Sequence, residues 1–483
     1  MWFNVELRRG MILAVAVLAA LAGCSTMRRA RSAQEDAEAR GSGEAVAAQK
    51  ADFRGWSLER LVGFAMTNRP SVVLARLAVD DARLALKAID ADAPLLSTTP
   101  WTAPSLSASV GHSESSAGTS LEDHKFKTRG SASAALSLDV LVYDFGRHSA
   151  RAKAQAEMVV AAETTLLGEG FRVFEEVAGS YFSFLEKRSL LEVALTNEAQ
   201  YAEHLLRAER TFDAGEADRL DVLKARLDLA RARQTSVAAS NMVLTSGAQL
   251  MNALGVDASR GTCEEAFGED TLAMGEVMRA FARTDSGVDE LFGFARTNAP
   301  VVQASRARLR AASHDVDRAV ADLMPEISVS ASLTWTDPLW FFRWGASAVQ
   351  SLFQGFRKTT AVDRAVVSLR QAEAGVDEAE QGLSSSLETA IAVRDNSVQA
   401  IESALASVRS AKENLETARE ELSVGTVSRV ELSDAIAAYS AALGDSISAF
   451  YDGQRAEAAL FALVGSFPVY SEAKLKEGGD EGQ

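Results

Sequence analysis

The side chains best suited to chemistry are few and scattered. Five histidines, His112, His124, His148, His204 and His314, include no two at the spacing of metal ligands. The two cysteines, Cys24 and Cys263, form no zinc-type pair. No phosphate-binding loop, nucleophile elbow or zinc-protease helix occurs. Gly41-Ser42-Gly43 opens like a dinucleotide fingerprint but lacks the third glycine and a preceding strand. The chain is therefore expected not to be an enzyme, and to hold neither metal nor cofactor. What remains is acidic. Glu431 and Asp434 stand at i and i+3 and share one face of any helix they lie on; on a lone helix such a face is ordinary solvated surface. A formal charge of −16, from 50 basic and 66 acidic residues, lacks the basic footprint of a nucleic-acid binder.

Cys24 has a different chemistry. Arg8 and Arg9 precede an apolar run from Met11 to Ala22, too short to span a bilayer but suited to a secretory signal. The run ends in Leu21-Ala22-Gly23-Cys24, which resembles the bacterial lipoprotein signal. Residues 1–23 then read as signal peptide, and Cys24 as the lipid-attachment residue. Ser25, not Asp, follows, and this implies passage to the outer membrane. Several acyl chains on one residue would anchor stably. Residues 24–55 read as a poorly ordered tether, and 466–483 as a tail of the same kind.

The elements that must position these residues are written twice. Leu61 to Pro70 reads LVGFAMTNRP, and Leu291 to Pro300 reads LFGFARTNAP. Val142-Tyr143-Asp144-Phe145-Gly146-Arg147 pairs with Leu352-Phe353-Gln354-Gly355-Phe356-Arg357, and Gly215 pairs with Gly425. The first copy carries roughly twenty extra residues between Pro70 and Val142. The copies cover 56–255 and 288–465, joined by a linker over 256–287 that holds Cys263 as a bland surface or half-buried thiol. Each opens with a short helix ending at Asn-x-Pro, where a helix should break. Each then has a second helix, a hairpin, a long helix and a returning one. Arg147 to Phe212 and Arg357 to Leu422 contain no Pro, and each would be about 99 Å long. The returning helices, Leu220 to Leu254 and Val430 to Val464, reach about 52 Å, so end-to-end partners are needed. An antiparallel four-helix packing with two broken members follows.

The hairpins show period-two alternation at Ser105 to Val110 and at Glu326 to Leu333, with return strands expected at about Phe126 to Tyr143 and Gly345 to Phe353. Trp335, Trp340, Phe341, Phe342 and Trp344 flank the second turn and fit an interfacial girdle. Open sheet edges are forbidden in lipid, and four strands cannot close a barrel. Two chains would make a filled barrel; three make twelve strands, the smallest set with a lumen.

Taken together, the duplicated Asn-x-Pro helices and the junction Tyr143-Asp144-Phe145-Gly146-Arg147 resemble the TolC-like outer-membrane factors, in their lipoprotein branch. So do the tip segments, Phe212 to Leu223 and Val424 to Leu432. The likeness spans the whole mature chain. It implies a mostly α fold with a small transmembrane β part: two tandem repeats of long antiparallel helices plus a β-hairpin. These would trimerise into a twelve-stranded barrel continued by a helical periplasmic tunnel. It also implies a passive channel serving a tripartite efflux or type I secretion system, as a homotrimer working with a periplasmic adaptor and an inner-membrane transporter. By the same resemblance, Gly215, Val424, Gly425, Thr426 and Ser428 belong to adaptor-docking tips. Glu431, Asp434 and Asp221 belong to an acidic pore gate, where like charges gathered from three copies would favour cations. At the first tip Asp218 replaces the family's usual small hydroxyl residue, so the docking pattern there is matched less fully than at the second; Leu422 and Val427 also depart from the family pattern, so the closing contacts do not carry over, and Arg219 and Arg429 are the nearby cations. The rival expectation, a structural periplasmic coiled-coil lipoprotein without a pore, explains the helices but not the hairpins.

Overall fold

The fold is described from a computed structural model, for residues 28–35, 53, 56–94, 105–118, 126–215, 218–256, 288–336, 339–351, 353–424 and 426–464. Two units are separable, Met1–Asp52 and Phe53–Gln483. In the first, the stretch expected to be a disordered tether holds a short exposed helix over 28–35. Cys24, Cys263, the linker beyond Val256 and the tail lie outside the described residues.

The second unit runs α1 (Leu58–Asn68), α2 (Pro70–Ala91), β1 (Ser105–Gly118), β2 (Phe126–Tyr143), α3 (Arg147–Asp213) and α4 (Arg219–Ala253). The same order recurs as α5 (Val288–Asn298), α6 (Pro300–Ala321), β3 (Glu326–Thr336), β4 (Leu339–Val349), α7 (Arg357–Val424) and α8 (Arg429–Val464). The Asn-x-Pro breaks work identically in both copies. Asn68 and Asn298 each turn Nδ2 back onto a carbonyl four residues earlier, Phe64 O and Phe294 O, both at 3.1 Å. Arg69 and Ala299 are extended, as a residue before proline must be, and Pro70 and Pro300 start the next helix, where a missing N–H is harmless.

The two longest helices, α3 with 67 residues and α7 with 68, run uninterrupted because each lacks proline and is rich in alanine. α3 packs against α2 and α4 of its own copy and against α6 and α8 of the other; α7 packs on α5, α6 and α8. The copies are thus interleaved. One apolar cluster joins Ala299 and Val302 to Leu387, Leu460 and Val464. Another joins Tyr201 and Leu229 of the first copy to Leu415, Leu432 and Ile436 of the second. α4 ends at Gly255, with φ +76°, where an added Cβ would come within 3.2 Å of the Arg69 backbone. Only glycine fits that close approach.

A polar clamp reinforces the interleaving. Glu186 of α3 is buried, its side chain 5% exposed. Its carboxylate accepts from Lys187 Nζ (2.7 Å), from Arg455 Nη1 of α8 (2.8 Å) and from Ser448 Oγ of α8 (3.3 Å). Burial alone would raise its pKa, but Lys187 and Arg455 outweigh burial and hold it below the ordinary carboxylate range.

The four strands form one antiparallel sheet in the order β1-β2-β3-β4. The two hairpins are therefore joined edge to edge through β2 and β3. β4 begins at Leu339 and ends at Val349, not at the expected Gly345 and Phe353. The aromatic cluster consequently lies within paired strand, with Trp335 directly opposite Trp340.

Candidate functional site

The register sorts the sheet's side chains by face. Leu106 pairs with Leu138 and Ala108 with Leu136. Leu136, Leu138 and Val140 meet Leu333, Ala331 and Val329, and these meet Phe342, Trp344 and Ala346. Residues opposite one another in an antiparallel pair share a face, so one side is apolar across all four strands. The other side carries Ser105, Ser107, Ser137, Asp139, Ser328, Ser330, Ser332, Thr334 and Arg343, with Ser328 and Ser347 hydroxyls 3.0 Å apart. Ala135, Leu141, Leu339, Phe341 and Val349 interrupt it, so Phe341 is not part of the aromatic face that Trp340, Phe342 and Trp344 build. Near the end of β2 the register shifts and Val142 becomes the extra residue, which brings Tyr143 onto the apolar face opposite Ile327. The apolar face is open in the single chain: Phe342 and Trp344 are 69% and 73% exposed. A patch this large needs lipid or another surface against it. Within the chain, β1 and β4 are both edges.

At the foot of the sheet each copy turns sharply into its long helix. Arg147 N donates to Asp144 O (3.2 Å) and Arg357 N to Gln354 O (3.3 Å). Both central residues of each turn are left-handed: Phe145 (φ +54°) and Gly146 (+90°), then Gly355 (+60°) and Phe356 (+61°). Each phenylalanine there carries a strain of about 1–2 kcal/mol. Asp144 is buried and caps the first turn, accepting from Gly146 N (3.2 Å) and His148 N (2.6 Å).

At the far end of the helices lie the tips. Gly215 has φ +76°, with its N–H on Phe212 O at 2.9 Å, so its glycine is required by backbone geometry. Gly425 lies outside the described residues, as does the side chain of Val424. Thr426 satisfies the end of α7 twice, donating to Glu421 O from its N–H (3.1 Å) and its hydroxyl (3.0 Å). Ser428 and Glu431 form a reciprocal capping box. Glu431 Oε2 accepts from Ser428 N (2.8 Å), and Ser428 Oγ accepts from Glu431 N (3.3 Å). The pattern Ser-x-x-Glu at 428–431 was visible in the sequence, and gives both residues a structural duty beside any other. Asp434 is exposed, on the side of α8 opposite buried Leu432, Ala435 and Ile436. Asp221, in the first turn of α4, is half-buried.

One group near the tips escaped the sequence reading. Tyr201 of α3 donates to Ser433 O of α8 (3.3 Å), and Ser433 Oγ donates to Asp228 Oδ2 of α4 (3.3 Å). Burial raises the Tyr201 pKa, and Asp228 and Asp434 add to the rise. No local motif announces it, because the partners are more than 200 residues apart in sequence.

Among the described residues no helix is long and apolar enough to cross a membrane, and no acidic, His or Cys cluster could hold a metal. The two-faced sheet and the paired helical copies define a class: a β wall with one lipid-compatible side, built on long helices. Residues 63–256 and 291–466 match the family described as outer membrane efflux protein, and the chain belongs to it. It is an outer-membrane channel of tripartite efflux systems. Solved structures share the fold at low identity. CusC is 18% identical, with 88% of this chain and 96% of that chain covered at a TM-score of 0.73. VceC from Vibrio cholerae is 16% identical, with 85% and 96% covered at 0.70. CmeC from Campylobacter jejuni is 15% identical, with 88% and 89% covered at 0.73. No curated protein sequence matches the chain.

Proposed function

We propose that three copies close their sheets into a twelve-stranded barrel through which substrate passes out of the cell. The observation that carries this reading is the register, which puts leucine, valine and tryptophan on one face and serine and threonine on the other. That division fits lipid outside and water inside. Closure removes the free edges of β1 and β4, which lipid would leave without hydrogen-bond partners. The helices continue the conduit into the periplasm, and the tips at Gly215, Val424, Gly425, Thr426 and Ser428 receive an adaptor that links the channel to an inner-membrane transporter. The transporter supplies the energy. Cys24 carries the lipid anchor. Asp434 with Glu431, and Asp221 from the first copy, form the acidic mouth. Asp434 is the freest of these, since Glu431 also serves its own helix end. The test is direct. Purified protein should run as an SDS-resistant trimer and conduct ions in planar bilayers; a non-conducting, lipid-anchored monomer would remove the channel reading.

A further inference from the structure

The first unit carries its charges in an order that its own helix disfavours. Residues 28–35 form a helix in which every residue is exposed. Arg28, Arg29 and Arg31 fill its first turn, Glu35 ends it, and Asp36 and Glu38 follow in the sequence. A helix dipole favours acids at the N-terminus and bases at the C-terminus, so both ends are charged the wrong way round. Arg31 also precedes Glu35 at i,i+4, the weaker order for such a pair. Since no residue of the helix is buried, packing does not fix that order either. Around the helix axis Arg28, Arg29 and Arg31 fall within about 160° of one another, with Ala30 on the other side.

Position gives these cations an anionic surface to meet. Arg28 stands four residues after Cys24, the residue read as lipid-attached. Four extended residues span at most about 14 Å, so the cationic turn stays beside the lipid headgroups whichever way the tether points. An anionic membrane surface raises partitioning roughly fivefold for each Lys or Arg near it, and the attraction fades within a Debye length of about 8–10 Å. The chain as a whole carries −16 and is repelled by such a surface, whereas the start of the tether has three cations and no acid from Ser25 to Gln34. Glu35, Asp36 and Glu38 begin a full turn farther from the anchor.

We propose that Arg28, Arg29 and Arg31 form a second, electrostatic anchor, held against the phosphates of anionic phospholipids in the leaflet that carries the Cys24 acyl chains. Acyl chains joined to a basic patch make a two-signal attachment, which here lays the start of the tether along the membrane surface. The inference rests on the lipid-anchor reading of Cys24, and its test separates the two. Mature full-length protein carrying Cys263→Ser and Ala33→Cys is labelled at 33 with an environment-sensitive NBD fluorophore; acylation of the Cys24 sulfur leaves no other thiol. The protein is reconstituted in vesicles of phosphatidylcholine, with or without phosphatidylglycerol, and quenched with acrylamide, which is neutral and stays in water. Mass spectrometry of the tryptic peptide ending at Arg28 reports whether Cys24 is acylated. The expected result is an acylated Cys24 and a label quenched several-fold less when phosphatidylglycerol is present. That shielding should vanish in raised salt and in Arg28→Gln/Arg29→Gln/Arg31→Gln. An acylated Cys24 with equal quenching in both vesicles, or shielding that survives the triple substitution, overturns this inference and leaves the lipid anchor standing. An unmodified Cys24 removes the anchor reading and this inference with it.

Discussion

Glu186 offers the sharpest quantitative test of how the two copies are held together. Its carboxylate is buried between α3 and α8 and takes hydrogen bonds from Lys187, Arg455 and Ser448. Glu186→Gln keeps the volume but leaves two cations beside a neutral amide. Removing one partner of a buried pair costs about 3–5 kcal/mol. Here the lower end applies, because Lys187 and Arg455 are each 29% exposed and Arg455 keeps Asp452 at 2.5 Å. The expected loss is therefore about 3 kcal/mol per chain at neutral pH. The pH dependence has a definite sign. The folded-state pKa lies below the ordinary value, so the stabilisation is present above the unfolded carboxylate pKa and disappears as pH falls through the folded one. Unfolding followed by circular dichroism should show a wild-type advantage at pH 7 that shrinks towards pH 3. No difference at pH 7, or a gap that widens in acid, would refute the reasoning.

Other expectations concern the tips and the anchor. Glu431→Gln with Asp434→Asn should lower cation selectivity and divalent block in bilayer recordings with little change in stability, because glutamine can still accept from Ser428; unchanged selectivity would point the carboxylates elsewhere. Glu431→Ala should instead cost roughly 1 kcal/mol in thermal unfolding, through loss of the capping box. Gly215→Ala should cost about 1–2 kcal/mol, since alanine resists the left-handed backbone there, and an unaffected melting temperature would contradict the tip geometry. Cys24→Ala should weaken membrane retention less than deleting residues 325–353; complete release of Cys24→Ala as soluble protein would count against the barrel.

Much of the architecture is legible locally. A helix needs only its own period, an absence of proline and suitable ends, so α3 and α7 and the Asn-x-Pro breaks could be read directly from the chain. Alternation at Ser105 to Val110 and Glu326 to Leu333 marked strands for the same reason. β4 starts earlier than the alternation predicts because Leu339 to Trp344 is nearly continuous aromatic and aliphatic sequence, in which period two is hidden until Phe342 is paired with Leu333 and Arg343 with Ser332. At the candidate gate the sequence shows Glu431 and Asp434 as carboxylates on one helix face, whereas the capping duty of Glu431 depends on where α8 begins, which the Ser-x-x-Glu pattern marks at 428–431.

The sequence by itself determined the duplication, the element order, the reversal at Gly215 and the two-residue alternation, because each depends on neighbours within a few positions. Only the tertiary structure decided that β2 pairs with β3, that the extra residue at Val142 turns Tyr143 to the apolar side, and that Glu186 and Tyr201 of the first copy find Arg455 and Ser433 of the second. These are pairings between distant segments, set by which surfaces fill one another once the helices pack, and no local period encodes them.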